Sequence, residues 1–103
     1  MKRILLSADS KISVFTVPDQ VADHLEQYCL EFSGRWLHQS PDAARYRVKM
    51  GDTIGVRYCE TDFIDYLNQY VCDGQASLVT TLEGVYVGDE IPGEYAGLPY
   101  FNF

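Results

Sequence analysis

Three cysteines, two histidines and a set of closely spaced aspartates are the residues with which this chain could do chemistry. Cys59 is the best nucleophile, because it lies just before a helical pattern whose dipole and free N–H groups favour a thiolate. Its neighbours Glu60 and Asp62 oppose that effect. No Cys-His motif supplies a base, so His24 or His38 would have to be delivered by the fold. Cys29 falls on an apolar helix face and reads as packed core. His24 borders the same face and reads as a satisfied, partly buried side chain, while His38 falls at a helix end or in a loop. Asp62 and Asp65 could form an acid/base pair, but acids in a first helical turn already complement the dipole. The glycines of "GDEIPGEYAGLP" lack the helix N-terminus and the lysine that a phosphate loop needs.

Metal and cofactor chemistry is not expected either. No CxxC is present, and the spacing of His24 and His38 does not supply zinc ligands. One helix running from Cys59 to Cys72 would hold their thiols near 20 Å apart, beyond a disulfide or a shared metal. In a chain read as cytoplasmic, an odd cysteine count favours reduced thiols. The basic start "MKRILLSADSKISV" is followed by too short an apolar stretch for a signal peptide, and no apolar run reaches the ~18 residues of a membrane helix.

The 103 residues, 47% hydrophobic and 22% charged, suit a single domain spanning 1–103 with one core. The net charge of −7 is unevenly spread. Residues 1–57 hold all eight bases against seven acids, and residues 58–103 hold eight acids and no base. Such asymmetry speaks about partners. Arg45, Arg47, Lys49 and Arg57 share one strand face, which reads as a solvated edge rather than a nucleic-acid contact, because the whole molecule repels polyanions.

Hydrophobic periodicity predicts three hairpins and two helices. "RILLSADSKISVFTV" turns at Asp9-Ser10. "VPDQVADHLEQYCLEFSGRWL" has helical period, opening at Pro18 and ending before Ser40-Pro41. "ARYRVKMGDTIGVRYC" alternates, and a three-residue loop through Thr53 would pair Met50 with Ile54 and Val48 with Val56, keeping both apolar sets on one face. A rival reading begins this stretch with a short helix at "SPDAARYR", capped by Ser40. "ETDFIDYLNQYVCDG" is a helix capped by Thr61 and stopped by Gly74, and "SLVTTLEGVYVG" a third hairpin about Glu83-Gly84. The tail from Asp89 reads as extended irregular chain whose Leu98, Tyr100, Phe101 and Phe103 pack at home, with a docking peptide as the alternative. The fold class is α+β, a mainly antiparallel sheet of about six short strands with two helices on one face, in the order ββαββαββ.

"LLSADSKISV", "DFIDYLNQYV" and "PYFNF" resemble a small uncharacterised protein family of gut-dwelling Gram-positive anaerobes. The resemblance carries no activity and no functional residues. It implies an interaction or counter-defence role, as small proteins borne on mobile elements often have. The residues themselves favour a non-catalytic module that presents an acidic, tyrosine-rich surface to a basic protein, as a nucleic-acid mimic would. The binding residues expected are Asp62, Asp65, Tyr66, Gln69 and Asp73 on the exposed stripe of the second helix, together with Tyr100, Phe101 and Phe103. On one continuous helix Asp65 and Asp73 would stand about 12 Å apart. The alternatives are a small-molecule pocket between the first helix and the sheet near Tyr28, Trp36 and Tyr46, and a thiol enzyme at Cys59.

Overall fold

A computed structural model describes all residues from Met1 to Phe103. The fold is α+β, built on a four-stranded sheet in the order β5-β2-β1-β6. Strands β1 (Lys2–Ser7) and β2 (Lys11–Val17) form the expected hairpin, with Ile4 opposite Phe15 and Leu5 opposite Val14. Both strands are apolar on consecutive residues because both faces of the sheet are covered. Ile4, Leu6, Phe15 and Val17 face the helices, whereas Leu5, Ile12 and Val14 face the other way. That second face is closed by Leu82 and by Val85, Ile91, Tyr95 and Leu98 of the long C-terminal segment.

The first helical stretch is not one helix. It runs as α1 (Asp19–Asp23) and α2 (Leu25–Glu31), then a π-helical turn over Phe32–Trp36, then α3 (Leu37–Gln39). His24 leaves the helical conformation between α1 and α2 (φ −129°), so it is exposed rather than partly buried. At the π turn, Ser33 donates its hydroxyl to the Cys29 carbonyl at 2.8 Å, competing with the backbone ladder. The wider turn brings Phe32 and Trp36 to the same side, with ring centroids 5.8 Å apart. Ser40 then caps a 3₁₀ turn over Pro41–Tyr46, accepting from the Asp42 N–H, so the rival reading of "SPDAARYR" as helical is the one realised.

The central hairpin corrects the expected loop. Strands β3 (Arg47–Met50) and β4 (Thr53–Val56) form a separate two-stranded sheet with Val48 opposite Gly55, so the turn is the two-residue Gly51-Asp52. Gly51 alone takes positive φ there (63°), the arrangement of a II′ turn, which matches strand twist without a bulge. Its apolar residues therefore lie on opposite faces, and Met50 and Ile54 stay exposed. A hairpin outside the main sheet has no single buried face to satisfy, so the argument for the longer loop loses its premise. Arg47 ties the hairpin to the body by donating to the carbonyls of Leu37 and Ser40 at the end of α3.

Helix α4 (Glu60–Tyr70) is capped by Cys59, not Thr61. The Asp62 carboxylate accepts the Cys59 N–H at 2.8 Å, closing a reciprocal capping box. The helix stops three residues short of Asp73, which adopts a left-handed conformation (φ 51°) ahead of Gly74. Asn68 fastens the exit by bonding both the N–H and the carbonyl of Ala76.

No third hairpin forms. Residues Ser77–Tyr86 are one strand, β5, antiparallel to β2, and Leu82 to Val85 together oppose the single residue Ile12. Gly84, at φ 72°, serves this bulge instead of a reversal. The last strand, β6 (Tyr100–Asn102), lies parallel to β1 and was not foreseen as a strand. The expected order ββαββαββ is thus altered by the broken first helix and by a closing pair of strands that are not neighbours.

Candidate functional site

The aromatic end of the chain is part of the fold. Phe101 lies opposite Leu6 and faces the helices, and Phe103 inserts among Phe32, Tyr58, Phe63 and Phe101 at centroid distances of 4.9–6.0 Å. Tyr100 points to the opposite face, where its hydroxyl lies 3.0 Å from Ser7 Oγ. Ser7 is fully buried and donates to Asn102 Oδ1, so the Tyr100 O–H is left to donate to Ser7. Of the three tail residues expected to bind a partner, Phe101 and Phe103 are engaged internally and Tyr100 remains partly exposed.

The stripe expected on the second helix is also redistributed. Asp65 and Gln69 are exposed as foreseen, but Asp62 is spent on the cap and Asp73 lies beyond the helix. Tyr66 is only 9% exposed, whereas Tyr70, which is not part of that stripe, is 43% exposed. The helix rolls this way because Tyr66 fits between Phe32, Trp36 and Phe63, with centroids 5.2, 5.0 and 6.3 Å away. The Asp65–Asp73 spacing of one continuous helix therefore does not exist.

What the roll creates is a groove between α1–α2 and the C-terminal end of α4. Its larger part, about 540 Å³, is lined by Pro18, Gln20, Val21, Tyr28, Tyr70 and Asp73, among others. A second hollow of about 400 Å³ shares Gln20 and Tyr28 with it and adds His24, Glu31 and Tyr66. Gln20 donates to the Tyr28 hydroxyl at 3.0 Å, bracing the shared wall. Beside the groove, Trp36 and Tyr70 pack on each other at 5.5 Å and both pack on Tyr66. The pocket thus lies between helices, not between the first helix and the sheet, although Tyr28 is on its wall as expected.

Carboxylates surround these rings. Tyr70 donates its hydroxyl to Asp42 Oδ2 at 3.0 Å, Glu31 stands near Tyr66, and Asp73 is on the groove wall. Burial, and after it the Glu31 charge, raises the Tyr66 pKa above 10; desolvation and then the bond to Asp42 raise that of Tyr70. Both phenols therefore stay neutral near pH 7 and keep their O–H groups as donors. Two bases border the patch. Arg35 pairs with Glu31 at 3.6 Å, and Arg45 sits 4.7 Å from the Tyr46 ring centre while donating to its hydroxyl.

Cys59 is half-buried, and its sulfur lies 2.9 Å from the Thr61 hydroxyl and 3.4 Å from Asp62 Oδ2. No imidazole is among its hydrogen-bond partners. Cys29 is fully buried, and desolvation pushes its thiol far up, which fits the packed-core reading. No three His, Cys, Asp or Glu side chains converge as a metal site, and no helix is long and apolar enough to cross a membrane.

Sequence reasoning missed Glu31, Asp42 and Tyr70 as members of one surface. The signal was present in the aromatic pairs Phe32/Trp36 and Tyr66/Tyr70, each at i, i+4. No family model matches the chain, and no curated protein or solved structure is significantly similar to it.

Proposed function

We propose that this chain is a non-catalytic binding module that holds a basic protein through the groove between α2 and α4, and that it competes there with the partner's nucleic acid. The observation that carries the reading is the combination of neutral aromatic rings and carboxylates at one place: Tyr28, Tyr66, Tyr70 and Trp36 beside Glu31, Asp42 and Asp73. A lysine or arginine side chain laid over Tyr70 or Trp36 gains cation–π attraction, and the carboxylates supply its counter-charge. Beyond the groove, Glu60, Asp62 and Asp65 of α4 add negative charge that steers a basic surface towards this side of the molecule. The mobile-element setting implied by the resemblance is in keeping with an inhibitor of this kind. A thiol enzyme is less well supported, because Cys59 meets a hydroxyl and a carboxylate and no base.

The test is affinity capture from the native host followed by mass spectrometry, using the parent chain and a Tyr70→Ala/Asp73→Asn variant. Asparagine is chosen because it tolerates the left-handed backbone at position 73, where a lysine would be strained. We expect a basic partner whose capture weakens at least about tenfold in the variant and falls as salt rises. Equal capture by a variant that melts like the parent moves the binding surface elsewhere.

A further inference from the structure

We infer that the outer edge of β5 is a self-pairing surface, on which a second copy of this chain lays its own β5 antiparallel and joins two four-stranded sheets into one. Strand β5 ends the sheet order and pairs on one side only, with β2. The part clear of its wide bulge, Ser77–Thr81, makes an edge of about 17 Å. Sheet edges left open in solution are ordinarily short, charged, bulged, interrupted by proline or covered. The other edge of this sheet obeys that rule, since β6 has three residues and follows Pro99. The β5 edge is interrupted only by its bulges. From Gly74 to Leu82 there is neither a charged residue nor a proline. Leu78 is 56% and Val79 41% exposed, with Tyr86 and Val87 exposed further along. The wide bulge over Leu82–Val85 bends the far half, so Ser77–Thr81 is the pairing segment, carrying a single-residue register shift of its own near Val79.

Charge selects the occupant. A basic partner is drawn to carboxylates, and this segment has none to offer. Two copies carrying −7 each can approach only where carboxylates are absent. Pairing about a two-fold axis at Val79 sets Ser77 against Thr81 and Leu78 against Thr80. No charged residue lies within that paired segment, so no like charges are opposed. An interface symmetric in this way closes at a dimer.

Sedimentation velocity on the full chain, over about three decades of concentration up to ~1 mM, tests this. We expect a monomer–dimer equilibrium that strengthens with added salt, because salt screens the repulsion between two acidic bodies. Val79→Lys should remain monomeric throughout while melting like the parent at low concentration. Should that variant fail to fold, amide exchange on the parent chain replaces it, with added protection at high concentration expected in Ser77–Thr81. A parent chain that stays monomeric at every concentration and salt overturns the inference. So does a Val79→Lys variant that dimerises like the parent, or protection confined to another segment. Polylysine that binds a monomeric parent and is lost with Val79→Lys would likewise overturn it, assigning the edge to a basic strand instead.

Discussion

Replacing Phe103 with alanine tests whether the aromatic end of the chain is structural. The ring sits 5.4–6.0 Å from the rings of Phe32, Tyr58 and Phe63 and 4.9 Å from Phe101, yet it remains half-buried. A fully enclosed phenylalanine costs about 3–5 kcal/mol on truncation, so a half-enclosed one costs about 2 kcal/mol. For a domain of this size each kcal/mol moves the melting temperature by about 4–8 °C, giving a fall of about 8–16 °C. Calorimetry at low protein concentration keeps any self-association out of the measurement. Tyr100→Phe is the control: it removes only the hydroxyl 3.0 Å from Ser7, which keeps Asn102, and should cost about 0.5–1 kcal/mol. A Phe103→Ala protein melting within about 2 °C of the parent would refute the packing argument, because no half-buried ring among four others can be removed so cheaply.

Arg47→Lys cannot hold the carbonyls of Leu37 and Ser40 together, and thermal melts should show a loss of about 1–2 kcal/mol. Stability should also fall on the alkaline side. Burial raises the Cys29 pKa from 9.0 and the Tyr58 and Tyr66 values from 10.0, so the unfolded chain loses those protons first. The unfolded state is favoured as pH climbs past each ordinary value, and below about pH 8 these groups contribute no pH dependence. Denaturant titrations between pH 8 and 11 would show the decline, and Cys29→Ala should remove its first part. With Cys29 and Cys72 buried and Cys59 half-buried, iodoacetamide should label Cys59 first, and equal labelling of all three in the folded protein would contradict that burial.

The first hairpin, the α+β class and the inward faces of the strands could be read from the sequence because each follows from local period and turn chemistry. Features decided by distant residues could not. Gly84 looks like a turn in "TLEGVY", but the open side of β2 offers β5 a longer ladder than a short hairpin on itself would make. Strand β6 has only three residues and pairs in parallel with a strand more than ninety positions away, so no local pattern announces it. The sequence leaves the roll of α4 open by about 40°, because Tyr66 and Tyr70 stand four residues apart and are equally amphipathic. Which of them goes inside depends on the space left by Phe32 and Trp36 after the π turn.

That roll also bears on which surfaces remain to be used. Helices cover one face of the main sheet and the C-terminal segment covers the other, so the rings of Phe101 and Phe103 are already committed. The groove with Tyr28 and Tyr70 and the bare edge of β5 remain open, and they differ in charge. Salt must therefore act on them in opposite directions, weakening attraction between carboxylates and a basic partner while easing repulsion between two acidic copies. A protein that assembled through its groove would dissociate as salt rises, and one that assembled through β5 would not. The sign of a single salt titration therefore tells the two surfaces apart before any residue is changed.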